Sequence, residues 1–219
     1  MNKTKLVVVG SGGFGREVIW QIIETNKATA EYDILGFIDN SPEMKDKTVN
    51  GFPVLGGSQW LIDYPEEICA VICVGDPRTR EELYNELKVN SKVSFPTVFA
   101  EDVKCSDSVK FGQGCIICLS DIFTTNITVG DFVIVNLDCT VGHDTVIGDF
   151  VTVYPSVNIS GNSHIDSYVE IGTGSVVIPH KHIGENTIVG AGAIVVKDLP
   201  PDCTAIGAPA APIKFHKTV

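Results

Sequence analysis

The segment Val141-Gly-His-Asp-Thr-Val-Ile147-Gly-Asp-Phe-Val-Thr-Val153 carries an apolar residue at every sixth position. The same spacing continues in both directions, so that steps of six between residues 105 and 195 meet sixteen apolar residues in succession. Because apolar residues make up 44% of the chain, chance would give 0.44 to the sixteenth power, about two in a million before the register is chosen. The sixteen residues are Cys105, Phe111, Ile117, Phe123, Val129, Val135, Val141, Ile147, Val153, Ile159, Ile165, Ile171, Val177, Ile183, Val189 and Val195.

A fixed period of six predicts a strand, a corner and another strand in regular alternation. An amphipathic helix would need an apolar spacing of about 3.6, and a sheet of simple hairpins shows no constant six. Three hexads close one coil of a triangular prism, so residues 18 apart stack on the same face, about 4.8 Å apart. Glycine follows the apolar residue at seven steps, and we expect it to permit the tight corner without Cβ strain. These glycines are Gly112, Gly130, Gly142, Gly148, Gly172, Gly184 and Gly190.

Residues 103–198 resemble the hexapeptide-repeat acyltransferases, whose repeats wind a left-handed parallel β-helix. Two segments of the tail, Val189-Gly-Ala-Gly-Ala-Ile-Val-Val196 and Ile206-Gly-Ala-Pro-Ala-Ala-Pro-Ile-Lys214, resemble the acetyl-CoA end of that family. The resemblance implies an all-β left-handed parallel β-helix here, with Gly190 and Ala191 among the residues that bind acetyl-CoA.

The segment before the repeat alternates apolar strands with helical spacing, which predicts a small parallel sheet with helices. The expected strands are residues 5–9, 34–38 and 70–74, and the expected helices are residues 16–25 and a charged stretch ending near Leu87. We therefore expect two domains. A Rossmann-like α/β domain that binds a nucleotide sugar covers residues 1–98, and a β-helix acetyltransferase domain with a C-terminal tail covers residues 99–219.

The first strand runs into Gly10-Ser-Gly-Gly-Phe-Gly15, a G-x-G-x-x-G pattern between a strand and a helix, with Asp39 further along the chain. Backbone N–H groups at such a helix start suit a phosphate. A nicotinamide cofactor is one interpretation, but about 95 residues supply only half of a dinucleotide fold, and no hydride-transfer constellation follows. A nucleotide-linked sugar has the better size, and a glycine-rich turn that merely connects strand to helix is the alternative. The expected nucleotide-sugar-binding residues are Gly10, Ser11, Gly12, Gly13, Asp39, Asn40 and Gly75.

Among the five histidines, His143 has the most suggestive position. It lies two residues after the inward-facing Val141, outside the prism, and Asp144 follows it directly. The residue one coil further on is Gly161, which has no side chain, so we expect a slot for substrate beside the imidazole. Surface positions are expected for His164, His180 and His182, and His216 lies in the tail.

Metal binding is the alternative role for these histidines, because gamma-class carbonic anhydrases carry zinc on a similar prism. From His143 the separations are 21 residues to His164 and 37 to His180, which match multiples of 18 only loosely. No metal ligand is therefore expected. The one C-x-x-C pair, Cys115 and Cys118, is interpreted as packing because Cys115 falls on the repeat.

Composition excludes several functional classes. The formal charge is 16 minus 27, or −11, and both parts are acidic: 10 basic against 14 acidic residues up to residue 100, and 6 against 13 beyond it. A nucleic-acid-binding face and a polybasic membrane patch are therefore not expected. The apolar runs fall far short of the roughly 20 residues of a membrane span, and no signal peptide is expected. Seven cysteines, an odd number, suit a reducing cytoplasm.

The combination of a glycine-rich nucleotide-type domain with Gly142-His-Asp144 and Val146-Ile-Gly-Asp-Phe150 on the prism looks like the nucleotide-aminosugar N-acetyltransferases of bacterial glycan synthesis. The sialic-acid O-acetyltransferase-like proteins belong to the same group. The resemblance implies that His143 is the base and that Asp144 orients it. Some members have a second histidine nine residues on, where this chain has Thr152 in the acetyl-CoA region. It also implies a homotrimer that holds each acetyl-CoA between two prisms.

The expected function is acetyl transfer from acetyl-CoA to the amino group of a nucleotide-linked 4-amino-4,6-dideoxy sugar. His143 would accept the proton that the amine loses, and the Gly161 N–H would donate to the thioester oxygen. Three alternatives stay open: a serine-type O-acetyltransferase, an O-acetyltransferase acting on a sialic acid or a related hydroxyl, and a scaffold without enzymatic activity. The choice among UDP, dTDP and GDP also stays open.

Overall fold

The computed structural model describes residues 3–216. The chain divides into two compact units, Met1–Glu101 and Asp102–Val219. The expected fold class is confirmed: the first unit is a small Rossmann-like α/β domain, and the second is a left-handed parallel β-helix.

The first unit is built on a six-stranded sheet. Its strands are β1 (Thr4–Val9), β2 (Tyr32–Ile38), β3 (Thr48–Val49), β4 (Phe52–Gly56), β5 (Ile68–Ile72) and β6 (Val93–Ser94), followed by the short β7 (Val98–Phe99). Its helices are α1 (Gly13–Thr29), α2 (Ser58–Ile62) and α3 (Pro77–Leu87), with a 3₁₀ turn at Pro42–Met44. The sheet order is β3-β4-β2-β1-β5-β6, and the pairs β1–β2, β1–β5 and β2–β4 are parallel.

Strand β1 lies at the centre of this sheet because Leu6–Val9 is a continuous apolar run, which suits a parallel strand covered on both faces. Helix α1 buries Val18, Ile19 and Ile22, which follow helical spacing. Strand β4 was not expected from the sequence. Pro53 lies within it, and proline weakens a strand prediction.

The second unit consists of two-residue strands that form three faces of a prism. Face one contains Lys104–Cys105, Ile122–Phe123, Thr140–Val141, Asn158–Ile159, Val176–Val177 and Ile194–Val195. Face two contains Lys110–Phe111, Thr128–Val129, Val146–Ile147, His164–Ile165 and His182–Ile183. Face three contains Ile116–Ile117, Ile134–Val135, Thr152–Val153, Glu170–Ile171 and Ile188–Val189, and continues into the hairpin of Cys203–Ile206 and Ala211–Phe215.

Strand partners within each face are 18 residues apart, as the period of six predicts. Thr140 pairs with Asn158, and Thr152 pairs with Glu170, both in parallel register. The inward residues form one continuous apolar core. Two of the sixteen expected core positions differ: Cys105 is exposed and Phe111 is only partly buried. Both lie in the first coil of the prism, which has a neighbouring coil on one side only.

The corner glycines have a different purpose from the one expected. The left-handed residue of each corner is the third after the core residue, as at Asp144 with φ 58°, whereas the glycine directly after the core residue has no left-handed φ. A Cβ on Gly142 would lie 2.4 Å from the Gly161 backbone nitrogen one coil away. Close approach between coils, rather than φ, therefore requires these glycines.

All seven cysteines are thiols, and no disulfide links them in the described residues. Cys115 and Cys118 are buried, and the Cys115 Sγ lies 3.1 Å from the Gly130 carbonyl oxygen, which agrees with packing rather than metal binding. Among residues 3–216, none of the helices combines the length and the hydropathy that a membrane crossing requires.

Candidate active site

His143 and Asp144 lie at the prism edge that joins face one to face two. The His143 Nδ1 atom lies 2.8 Å from the Asp144 Oδ2 atom. An ionised carboxylate only accepts hydrogen bonds, so Nδ1 carries the proton and donates it. The Nε2 atom then keeps a free lone pair, which is the state that a general base needs.

Asp144 is itself held from the coil below. The Asn126 side chain donates a hydrogen bond to the Asp144 Oδ1 atom at 3.2 Å, and Asn126 lies 18 residues earlier, at the same corner position. Hydrogen bonds from His143 and then from Asn126 lower the pKa of Asp144 below its ordinary value. Sequence analysis missed Asn126, although its separation of 18 from Asp144 would have identified it.

Gly161 lies beside His143, as the stacking of coils predicts. A Cβ on Gly161 would lie 2.7 Å from both the Cε1 and the Nε2 atoms of the His143 ring. The space above Gly161 is therefore occupied by the imidazole itself and is not the open slot for substrate that the sequence led us to expect. The absence of a side chain allows the ring to lie against the next coil.

The catalytic pair is open to solvent in one chain. The side chains of His143 and Asp144 are 59% and 47% exposed. Within the described residues, the Gly161 N–H has no hydrogen-bond acceptor. The edge thus presents a base, its orienting carboxylate and a backbone donor to whatever binds there.

The residues expected to bind acetyl-CoA are distributed over the prism rather than gathered. Gly161 lies at the edge between faces one and two, whereas Gly190 and Ala191 lie at the edge between faces three and one. Thr152 lies on face three, opposite the His143 edge, and is only 1% exposed. A single chain does not bring these four residues together.

In the first unit, a pocket of about 320 Å³ opens where parallel strands end. A shallower depression of about 200 Å³ shares Asp39, Asn40 and Ser41 with it. The pocket is lined by Val9, Gly10, Ile38, Asp39, Asn40, Ser41, Ser58, Val74, Thr79 and Leu83. Ligands of open α/β sheets bind at the carboxyl ends of the strands, which is the location of this pocket.

Asp39 is clamped by the chain around it. The Ser11 backbone N–H donates to the Asp39 Oδ2 atom at 2.9 Å, the Ser11 hydroxyl donates to the same atom, and the Ser41 N–H donates to Oδ1 at 2.9 Å. Burial alone would raise the pKa of Asp39, but these hydrogen bonds outweigh it and lower the pKa below its ordinary value. Ser11 is itself buried, so it shapes the pocket through Asp39.

A second polar chain extends from Asn40, which exchanges two hydrogen bonds with Ser58: the Ser58 N–H donates to Asn40 Oδ1 at 2.7 Å, and Asn40 Nδ2 donates to Ser58 Oγ at 2.9 Å. The Ser58 hydroxyl donates in turn to Glu86 Oε2 at 3.0 Å. Sequence analysis missed Ser58 because it missed β4, the strand that leads to it.

The remaining expected residues lie around the pocket rather than on its wall. Gly12 caps α1, and Gly13 is the first residue of that helix. A Cβ on Gly15 would lie 1.9 Å from the Gly10 carbonyl oxygen, so glycine there allows the helix to pack against the strand. The Gly75 carbonyl oxygen accepts a hydrogen bond from the buried Arg80 at 2.9 Å. Of the seven expected residues, the structure brings Gly10, Asp39 and Asn40 together at the pocket.

Comparison with known proteins agrees with this geometry. The family model described as the PglD N-terminal domain matches residues 5–87. WeeI from Acinetobacter baumannii AYE is 32% identical, with 96% of this chain and 100% of that chain covered at a TM-score of 0.87. The chain belongs to the hexapeptide-repeat nucleotide-aminosugar N-acetyltransferases.

Two further structures of this N-acetyltransferase family match nearly end to end. The acetyltransferase domain of PglB from Neisseria gonorrhoeae FA1090, in complex with acetyl coenzyme A, is 29% identical, with 97% of this chain and 100% of that chain covered at a TM-score of 0.87. PerB from Caulobacter crescentus, in complex with CoA and GDP-perosamine, is 28% identical, with 96% and 97% covered at a TM-score of 0.86. The search of curated proteins gave no match.

Proposed function

We propose that this N-acetyltransferase transfers an acetyl group from acetyl-CoA to the amino group of a nucleotide-linked amino sugar, of the 4-amino-4,6-dideoxy class. The observation that carries the proposal is the His143–Asp144 pair, which leaves the Nε2 atom unprotonated beside the Gly161 backbone. The relatives crystallised with acetyl coenzyme A and with GDP-perosamine support both substrate classes.

His143 acts as the general base. The sugar amine attacks the thioester carbonyl carbon, a C–N bond forms, and the nitrogen gives its proton to the His143 Nε2 atom. The C–S bond then breaks, and the CoA sulfur leaves and takes the proton back from the imidazolium. Asp144 accepts a hydrogen bond from Nδ1 and so stabilises the imidazolium while it exists.

The Gly161 N–H is the proposed donor to the thioester oxygen, on which negative charge develops during the attack. Its support is the position of Gly161 against the His143 ring and, within residues 3–216, the lack of another acceptor for this N–H.

The nucleotide is assigned to the pocket of the first unit. Its volume of about 320 Å³ falls at the lower end of the range typical for small-molecule sites, and the adjoining depression extends it. Asp39 and Asn40 hold the polar wall in place, and the start of α1 offers backbone N–H groups toward a phosphate. Gly12, Gly13 and Gly75 support this wall from behind.

A homotrimer completes the acetyl-CoA site in this proposal. Gly161 and Gly190 lie on two different edges of one prism, and the catalytic pair is about half exposed in a single chain. Acetyl-CoA held between two prisms would meet one edge of each. Outward apolar side chains on the prism, such as Ile122 and Ile194, support a covered surface. Seven thiols without a disulfide in the described residues support a cytoplasmic location.

The experiment that tests the proposal measures thiol release from acetyl-CoA with UDP-, dTDP- and GDP-linked 4-amino sugars. We compare the wild type with His143→Ala, and use His180→Asn as the control at another exposed corner histidine. We expect turnover with one nucleotide series, a 10²- to 10⁴-fold lower kcat in His143→Ala, and an unchanged rate in the control. Absence of thiol release with every amine, or loss of less than tenfold in His143→Ala, would contradict the mechanism.

A further inference from the structure

Two histidines stack on face two of the prism, outside the site described above. His164 and His182 are 18 residues apart and are register partners in adjacent coils. Both side chains point outward and are about half exposed, at 54% and 50%. Their ring centroids lie 5.3 Å apart with an interplanar angle of 71°, an edge-to-face arrangement that turns ring nitrogens toward a common point. The sequence analysis measured separations from His143 and so missed this pair.

A carboxylate lies between the two rings. Asp166 Oδ1 lies 3.1 Å from His164 Nε2, and Asp166 Oδ2 lies 2.8 Å from His182 Nε2. The three ligand atoms all lie within 4.8 Å of one another. Asp166 is also unusual in its column: the stacked position in the other coils is glycine, at Gly112, Gly130, Gly148 and Gly184.

We propose that His164, Asp166 and His182 bind one divalent transition-metal ion of the zinc and cobalt type. Two imidazoles and one carboxylate suit these ions, whereas Mg²⁺ and Ca²⁺ prefer oxygen ligands alone. Around a tetrahedral ion with bonds of about 2.0–2.1 Å, ligand atoms lie roughly 3.3 Å apart. The two Asp–His separations are already near that value, and the exposed rings have room to rotate.

The backbone beneath these ligands is held by neighbouring coils. The His164 N–H donates to the Lys181 carbonyl oxygen at 2.8 Å, and the Asp166 N–H donates to the Ile183 carbonyl oxygen at 3.0 Å. The His182 N–H donates to Asp198 Oδ1 at 3.0 Å. The ligand positions therefore differ little between the free and the metal-bound chain, so binding orders only side chains. The net charge of −11 also favours a cation.

The ion has no part in acetyl transfer as proposed above, because none of its ligands belongs to the His143 edge. Without a metal, the same geometry is an aspartate that accepts hydrogen bonds from two histidines. Measurements of metal binding distinguish these two interpretations without reference to enzymatic activity.

The experiment titrates the tag-free full chain with Co²⁺, and follows binding by calorimetry and by the visible absorption of the ion. Cys105, the exposed thiol, is replaced by serine in every sample so that it does not compete for the metal. The variants are His164→Asn, His182→Asn and Asp166→Asn. His180→Asn is the matched control, because it removes an exposed neighbouring histidine outside the cluster. Far-UV circular dichroism checks that each variant is folded.

We expect one Co²⁺ per chain in the parent and in His180→Asn, with an absorption band typical of nitrogen and oxygen ligands. Each of the three cluster variants should bind at least tenfold more weakly, because changes merely around a metal site already cost about 10- to 100-fold in affinity. Equal affinity in all folded variants, or no saturable binding by the parent, would overturn the proposal. Zn²⁺ competing with the Co²⁺ band would extend it to zinc.

Discussion

The pocket of the first unit and the His143 edge of the second unit hold polar groups in place by different means. In the pocket, Asp39 accepts hydrogen bonds from Ser11 and Ser41, residues on the loops after β1 and β2. At the prism edge, His143 is positioned by its immediate neighbour Asp144 and by the bare backbone of Gly161 one coil away.

This difference separates recognition from chemistry. A pocket formed where several strands end encloses a volume within a single unit, which suits a ligand such as a nucleotide. An edge of stacked coils encloses nothing, and its catalytic pair stays about half exposed until another molecule covers it. Changes in the pocket should therefore act on substrate binding, and changes at the edge should act on turnover.

The sharpest test of the edge is Gly161→Ala. The new methyl group would lie 2.7 Å from the His143 ring, so the ring must move, and kcat should fall by about 10²-fold. Gly161 has no left-handed φ, so alanine keeps both the backbone conformation and the N–H. Steady-state thiol release at saturating substrates measures the loss.

A double variant distinguishes positioning from other effects of this methyl group. If Gly161→Ala acts by displacing the imidazole, it should add little to the loss already caused by His143→Ala. Independent, multiplicative losses would mean that Gly161 acts on the reaction by another route.

In the pocket, Asp39→Ala removes the acceptor for Ser11 and Ser41. Because leaving buried donors without a partner costs about 1–3 kcal/mol, the KM for the nucleotide sugar should rise roughly 10- to 100-fold. The KM for acetyl-CoA should stay unchanged, as separate titrations of the two substrates will show. Asp33→Ala, at an exposed position on β2, is the matched control. A fall in kcat with an unchanged sugar KM would contradict the separation of binding and chemistry.

The smallest expected effect concerns a buried carboxylate at another prism edge. Asp121 is fully buried, accepts N–H bonds from Cys118 at 3.0 Å and Cys139 at 2.8 Å, and has its pKa raised by burial to about 8. Between about pH 4 and 8 the folded chain keeps a proton that the unfolded chain releases. The free energy of unfolding should therefore decrease as pH rises, by up to about 1.4 kcal/mol per pH unit.

Urea unfolding at pH 5, 6.5 and 8 measures this slope, with Asp121→Asn as the comparison. The asparagine variant should lose this part of the pH dependence. Parallel pH profiles of the two proteins would show that Asp121 ionises freely in the folded state, in contrast to Asp144, whose pKa is lowered at its exposed edge.

The repeat allowed an accurate prediction of the second unit because each coil contacts chiefly the next one. A separation of 18 residues identifies neighbours directly, and it placed Gly161 beside His143 before any coordinates were considered. The purpose of the corner glycines was predicted wrongly, because close approach between coils depends on the spacing of two backbones and not on the corner alone.

The first unit was less predictable because its contacts have no constant separation. The strands that match expectation, β1, β2 and β5, are continuous apolar runs, whereas β4 contains Pro53 and was missed. With β4 missing, nothing in the sequence linked Asn40 to Ser58, which lies 18 residues away by coincidence and not by repeat.

The sequence by itself determined the β-helix, its three faces and the pairing of His143 with Asp144 and Gly161, because a repeating local pattern translates directly into nearest-neighbour stacking. Only the tertiary structure decided the order of the first sheet and the clamp on Asp39. It also decided the burial of Thr152 and the meeting of Asp166 with two histidines. These features depend on where distant segments pack and on which rotamer each side chain adopts, and neither is encoded in spacing along the chain.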